Sequence, residues 1–305
     1  MSQHVLAEQI DEWKERRNAV LLVHNYQRPE LQLIADHLGD SLGLSRKAAR
    51  TDADVIVFCG VHFMAETASI LCPGKTVLIP DEKAGCPMAN MITAEQLRAK
   101  KEEHPDAVVV CYVNSTAEVK AESDLCCTSA NATQVVEGID PDRPVLFVPD
   151  KYLGAWTARK TGRDIILWEG YCSTHVSITP RDVDVARQEH PGALLMVHPE
   201  CLTEVSEMAD AVESTSGMCR LVSETDAQEI LVGTEVGLIA RLKRENPEKD
   251  IYPVTPAAVC PNMKLHTMEK VLWSLEEMEN VVKVPDEIAT QARKAIDGMM
   301  AASRS

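Results

Sequence analysis

Ten cysteines occur in this 305-residue chain, and three of them keep an even spacing. Cys86, Cys172 and Cys260 stand 86 and 88 residues apart, and no other three share a register. Residues that are equivalent under a pseudo-threefold axis, and close to it, converge on one point. Three thiolates meeting there suit three irons of a cubane and leave the fourth iron open. Iron–sulfur clusters normally take four cysteine thiolates, so the missing ligand points to one [4Fe–4S] cluster used as a Lewis acid rather than for electron transfer. Cys86-Pro87 and Cys260-Pro261 echo the Cys-Pro that ends many ferredoxin ligand runs. Zinc favours Cys-x-x-Cys knuckles, and the chain has none. Burial as a small hydrophobe is the ordinary fate of free cysteine. That is the expectation for Cys59, Cys72 and Cys111, which lie in or beside apolar runs. Cys126 and Cys127 adjoin, an arrangement that rarely ligates one metal, and Cys201 and Cys219 read as structural.

A second register holds His24, Tyr112 and His198, each at the end of an apolar run, with Tyr26, Asn114 and Glu200 two residues further on. Strand ends are where ligands bind in parallel sheets. Glu200 is the candidate general base, and His198, Tyr26 and Tyr112 are the candidates to assist it in proton transfer. His175, three residues after Cys172, reads as a supporting group behind the ligand. A third register, Ser41, Ser129 and Thr215, follows the second by 17 residues. Each lies near the start of a helical pattern, where a hydroxyl is a good N-cap. Three helix amino termini facing one axis would also form an anion pocket from free N–H groups and dipole ends.

The elements that must position these residues are legible as repeats. The runs at 18–26, 106–114 and 192–200 are rich in Val, Leu and Ala and read as buried parallel strands. The runs at 53–60, 143–150 and 228–235 read as second strands. Those at 77–80, 164–168 and 250–254 read as third strands, each preceding one cysteine of the trio. Helical patterns such as 64–71 and 236–244 fill the gaps. The fold class is therefore α/β: three homologous α/β/α sandwich domains with parallel sheets around a pseudo-threefold axis. The expected boundaries are 1–105, 106–191 and 192–264, with a helical stretch at 265–305 packing back on the first domain.

Hydrophobic residues make up 45 % and charged residues 26 %, the balance of a soluble globular protein. A net charge of −16 excludes a broad basic surface for nucleic acid or anionic lipid. The first residues lack the apolar core of a signal peptide, and no stretch approaches the roughly 20 apolar residues of a membrane span. The expected location is the cytosol, where thiols stay reduced.

The assembled motifs resemble quinolinate synthase over essentially the whole chain. They are His24-Asn25-Tyr26-Gln27, Gly39-Asp40-Ser41, Cys86-Pro87-Met88-Ala89, Tyr112-Val113-Asn114-Ser115 and Thr128-Ser129-Ala130-Asn131-Ala132. Gly170-Tyr171-Cys172, His198-Pro199-Glu200-Cys201, Ser214-Thr215 and Cys260-Pro261-Asn262-Met263-Lys264 complete the set. The resemblance implies condensation of iminoaspartate (iminosuccinate) with dihydroxyacetone phosphate to quinolinate, phosphate and water, a step in NAD biosynthesis. It implies one [4Fe–4S] cluster on Cys86, Cys172 and Cys260. It further implies a substrate site lined by His24, Ser41, Tyr112, Val113, Asn114, Ser129, His198, Pro199, Glu200 and Thr215. The expected partners are the two small substrates and the enzyme that supplies iminoaspartate, with no nucleic acid and no membrane. Some relatives carry a C-terminal Cys-x-x-Cys redox pair, but this chain has no cysteine after Cys260. The rival readings are another [4Fe–4S] hydro-lyase of a small carboxylate, a non-catalytic redox carrier and, last, a zinc-stabilised protein.

Overall fold

The computed structural model describes residues 2–302. Residue 1 and residues 303–305, the ends of the expected first domain and C-terminal stretch, lie outside the described residues. The first apolar run forms β1 (Ala19–His24), followed by β2 (His37–Gly39), β3 (Val55–Cys59) and β4 (Thr76–Leu78). The second unit repeats this as β5 (Val108–Tyr112), β6 (Leu125–Cys127), β7 (Val145–Val148) and β8 (Ile165–Leu167). The third gives β9 (Leu194–Val197), β10 (Ala211–Val212), β11 (Glu229–Gly233) and β12 (Asp250–Pro253).

Each unit is one four-stranded sheet, with the orders β2-β1-β3-β4, β6-β5-β7-β8 and β10-β9-β11-β12. Every pairing within them is parallel. The central strands are buried along most of their length, as helices on both faces require. Helices follow the strands, so all strand carboxyl ends lie on the same edge of their sheet, where loops can build a site.

β2, β6 and β10 are absent from the sequence reading: they are as short as β4 and β8, but lack the branched apolar runs Val77-Leu78-Ile79 and Ile165-Ile166-Leu167 that mark those two. A repeated device attaches them. The amides of Asp36, Asp124 and Asp210 donate to the carbonyls of Leu21, Val109 and Leu195 at 3.1, 3.1 and 2.9 Å. Each aspartate carboxylate then accepts the N–H of that same strand residue, at 2.7, 2.8 and 2.8 Å. Three short edge strands are thus fixed in one register, with partners 15 residues apart in all three sheets (Leu22 with His37, Val110 with Leu125, Met196 with Ala211).

The C-terminal stretch divides between two units, which departs from the single placement expected for 265–305. The helix Met268–Glu277 lies on Gln3–Arg17 of the first unit, where Arg17 donates to the carbonyls of Leu275 and Glu276. The helix Asp286–Ala302 instead covers Ala117–Ala121 and β6 of the second unit, with a smaller contact to His62–Leu71. Its buried residues are Ala292, Ala295, Ile296 and Met299, and the close approach is made at Gly298. A Cβ at Gly298 would meet Leu125 at 2.6 Å. No helix among the described residues is long and apolar enough to cross a membrane.

Candidate active site

The carboxyl ends of all three sheets open on one shared cavity. Twelve of the candidates line it: Cys86, Cys172 and Cys260; His24, Tyr112 and His198; Ser41, Ser129 and Thr215; and Tyr26, Asn114 and Glu200. Val113 and Pro199 are not among the lining residues. The amide of Val113 extends the sheet by donating to Cys127 O at 2.9 Å.

The three cysteines each begin a tight helical turn: Met88–Met91 after Cys86-Pro87, Ser173–Val176 after Cys172, and Asn262–Lys264 after Cys260-Pro261. In each turn the thiol receives the backbone N–H three residues on, from Ala89, His175 and Met263. Burial nevertheless dominates. It pushes Cys86 up to about 12 and raises Cys172 and Cys260, with the negative charge of Glu200 adding to the effect at Cys86 and Cys172. Three thiols with N–H donors, held together where their ionisation is opposed, form a donor set that a cationic group would complete. Among the described residues no other cysteine lines the cavity. The remaining cysteines are buried apart from Cys219, which is half-buried.

His24 and His198 are nearly inaccessible, and burial first of all lowers both to about 3, with Lys264 and His175 respectively adding to it. Their geometry agrees with neutral rings. The Nδ1 of His24 accepts the N–H of Tyr26 at 3.2 Å, and the Nδ1 of His198 accepts that of Glu200 at 3.3 Å. A neutral imidazole that accepts at Nδ1 carries its hydrogen on Nε2. The sequence register has therefore set the tautomer twice, through the amide two residues on.

Glu200 is 2 % exposed. Burial opposes its ionisation, but the His175 ring against it and the Tyr112 hydroxyl outweigh burial and lower the carboxyl. Its Oε2 lies 2.6 Å from His175 Nδ1, while its Oε1 is buried without a partner. His175 continues the network. Its Nε2 meets Thr234 Oγ1 at 2.9 Å, and Thr234 Oγ1 meets the Tyr26 hydroxyl at 2.6 Å. Burial first, then Glu200, raises both Tyr26 and Tyr112 well above the usual phenol, so both stay protonated. Cys172, His175 and Glu200 also bring one ligand atom each within 4.8 Å of one another, a group that could hold a metal ion.

The capping role falls beside the register hydroxyls. Asp40 and Ser214 cap the helices that Ser41 and Thr215 begin, and Asn131 precedes the helix that follows Ser129. The three hydroxyls are therefore left to face the cavity. Among its lining residues there is no lysine or arginine. An anion would meet hydroxyls, imidazoles and helix N-termini, with full positive charge only behind them.

Thr234, Glu235 and Lys264 carry no register in the sequence. Glu235, fully buried, accepts from Cys260 N at 3.1 Å and Gly237 N at 2.7 Å. It pairs with Lys264 at 2.9 Å, and Lys264 in turn donates to the Tyr26 carbonyl. Gln32 Nε2 reaches the carbonyls of Asn25, Gln27 and Gly237 at 3.1, 2.9 and 2.8 Å. This polar seam locks the turn after β1 to the third unit. It leaves no room for a side chain at Gly237, whose Cβ would lie 2.6 to 2.8 Å from Tyr26 O, Glu235 and Lys264. Thr234 and Glu235 follow β11 directly, so the strand-end rule that found His24 could have found them.

Comparison with known proteins places this geometry. The family described as Quinolinate synthetase A protein (NadA) matches residues 8–301. The chain is similar to the quinolinate synthase of Dehalococcoides mccartyi (strain CBDB1), at 53 % identity over 300 residues, 98 % of this chain and 99 % of that protein. It is equally similar, at 53 % over 301 residues and 99 % of both chains, to the quinolinate synthase of Methanosarcina barkeri (strain Fusaro). That of Thermodesulfovibrio yellowstonii is 52 % identical over 294 residues, 96 % of this chain and 97 % of its own. With a whole-length match and three sheets whose strand ends share one cavity, the chain belongs to the quinolinate synthetase A family.

Proposed function

We propose that the chain condenses iminoaspartate (iminosuccinate) with dihydroxyacetone phosphate, giving quinolinate, phosphate and two waters. One observation carries this reading: a cysteine from each of the three units lines the same cavity as the buried Glu200. Cys86, Cys172 and Cys260 would hold a [4Fe–4S] cluster, and their N–H donors suit thiolate ligands. When bound, such a cluster supplies through its uncoordinated iron a Lewis acid for charge that develops on substrate oxygen or nitrogen.

The chain's own residues have definable tasks. Ser41, Ser129 and Thr215, with the helix ends beside them, hold carboxylates and phosphate. Glu200 Oε1, ionised and unpartnered, accepts a proton as the carbon–carbon bond forms and as water leaves. Tyr26, Tyr112 and the Nε2–H groups of His24 and His198 donate to the developing charge. The Tyr26–Thr234–His175–Glu200 chain lets a proton pass between the phenol and the carboxylate. The reading places the enzyme in the cytosol, supplied with iminoaspartate by a second enzyme.

The test is anaerobic purification, with iron and sulfide each expected at about four per chain, and a quinolinate assay with iminosuccinate generated in place. Alanine at Cys86, Cys172 or Cys260 removes the cluster, and Cys126→Ala keeps it. A cluster that survives loss of one member of the trio overturns the ligand assignment. A second reading, one metal ion on Cys172, His175 and Glu200, follows from their closeness. It predicts metal without sulfide.

A further inference from the structure

Thr215 Oγ1 receives a hydrogen bond from Asn25 Nδ2 at 2.9 Å, and both residues are buried. Asn25 follows β1 and Thr215 opens a helix of the third unit, so the bond crosses between units. The far side of the amide settles which way it faces. Arg241 Nη1 lies 2.7 Å from Asn25 Oδ1, and a guanidinium has donors only. The amide oxygen must face Arg241, and its NH₂ must face Thr215. Neither partner is free to turn. The Asn25 backbone is held at both ends, by Gly39 O at 3.0 Å and Gln32 Nε2 at 3.1 Å. Arg241 is anchored by Glu245 at 2.8 Å and Leu38 O at 3.4 Å.

Thr215 Oγ1 is thereby the acceptor in its pair with Asn25, and a hydroxyl has a single hydrogen to give. Among the described residues that hydrogen meets no acceptor, and Thr215 lines the cavity. We propose that Arg241 and Asn25 form a polarity relay that keeps the Thr215 hydroxyl hydrogen turned from Asn25 and directed to a ligand carboxylate or phosphate oxygen. The relay rests on the reading of the cavity as a site for anionic substrates, and it sharpens that reading. It favours an acceptor at this subsite, because the hydroxyl hydrogen is the part of Thr215 that Asn25 leaves to the ligand. It also brings a guanidinium to bear on a cavity whose lining has no lysine or arginine, through a charge-assisted chain. Asn25 and Arg241 are positioning residues, since neither touches the ligand.

The experiment titrates quinolinate into anaerobically prepared holoenzyme by calorimetry. In Asn25→Asp a carboxylate accepts from both Arg241 and Thr215, which turns the hydroxyl hydrogen away from the ligand. Quinolinate Kd rises about tenfold in Asn25→Asp and in Thr215→Val, and the double variant binds no more weakly than Thr215→Val. In turnover, KM for iminosuccinate rises while kcat stays within about twofold. Arg241→Leu weakens binding about fivefold only while Thr215 is present, and Arg241→Lys restores it. Should Asn25→Asp fail to fold, the Arg241 variants decide alone. If Asn25→Asp weakens binding equally in the Thr215→Val background, added negative charge is the whole effect and the relay is overturned. Wild-type affinity in Arg241→Leu overturns it as well. A wild-type holoenzyme that ignores quinolinate overturns the reading of the cavity, and the relay with it.

Discussion

Glu200 shows how one carboxylate is prepared for proton transfer. Oε2 is paired with His175, and Oε1 is buried without a partner. Glu200→Gln keeps the volume and removes the charge. In single-turnover assays quinolinate formation should fall at least about 100-fold while iron content is unchanged. Undiminished chemistry would remove Glu200 from the base role. His24 makes a different prediction. Its folded value of about 3 lies below the unfolded value of roughly 6.5, so the unfolded chain binds the extra proton in that window. The stability tied to its neutral ring is fully present above about pH 6.5 and is lost as pH falls toward about 3. Urea midpoints between pH 7 and 5 should therefore slope less steeply in His24→Gln. An unchanged slope would show that the ring is not held neutral by burial. At this scale the sequence was informative wherever a residue occurs in triplicate. The strand-end residues and the hydroxyls recur at offsets of 88 and 86, and the cysteine trio at 86 and 88. Thr234, which occurs once, had no such marker, and His175 was visible only by its distance from Cys172.

At the scale of elements, burial sets what can be read. β1, β3, β5, β7, β9 and β11 are central strands, and their apolar runs identify them. The edge strands β2, β6 and β10 carry no branched apolar run of the kind that identifies the equally short β4 and β8. Their signature was nonetheless present as Asp36, Asp124 and Asp210, which keep the same 88- and 86-residue offsets as the strand-end residues. Each carboxylate caps an amide that its own edge strand leaves unpaired. Asp124→Ala leaves Val109 N–H without that acceptor and should cost about 1–3 kcal/mol in urea unfolding, with the active-site hydroxyl Ser129 displaced as β6 loosens. Asp124→Asn keeps an acceptor and should lose less than half as much. Equal losses in both variants would assign the effect to charge rather than to the hydrogen bond.

The whole molecule is three equivalent sheets made unequal by their connections. The first and third units share the polar seam around Gln32, Glu235 and Lys264. The second is covered by the helix Asp286–Ala302. Truncation after residue 285 should uncover β6 and the helix Ala117–Ala121, while the sheet of the first unit keeps its cover from Met268–Glu277. Amide exchange in β6 should accelerate at least about tenfold relative to β1. Uniform acceleration would mean that the tail supports all three sheets alike. The division of the tail between two units had no signal in the sequence. Both helices are amphipathic, and amphipathicity names a buried face without naming what buries it.

That final helix also bears on the order in which the protein can be made. The second unit ends its sheet at β8, but the cover for β6 is encoded more than a hundred residues later. At a synthesis rate of about 5–20 residues per second, a nascent chain spends several seconds or more with that apolar surface open. The third unit has its strands and helices in one continuous stretch, and the two tail helices make their main contacts with the other two units. The third unit is thus equipped to settle before the second. A ribosome-bound chain halted near residue 264 should bind holdase chaperones through its second unit, and release them once residues 286–302 have emerged.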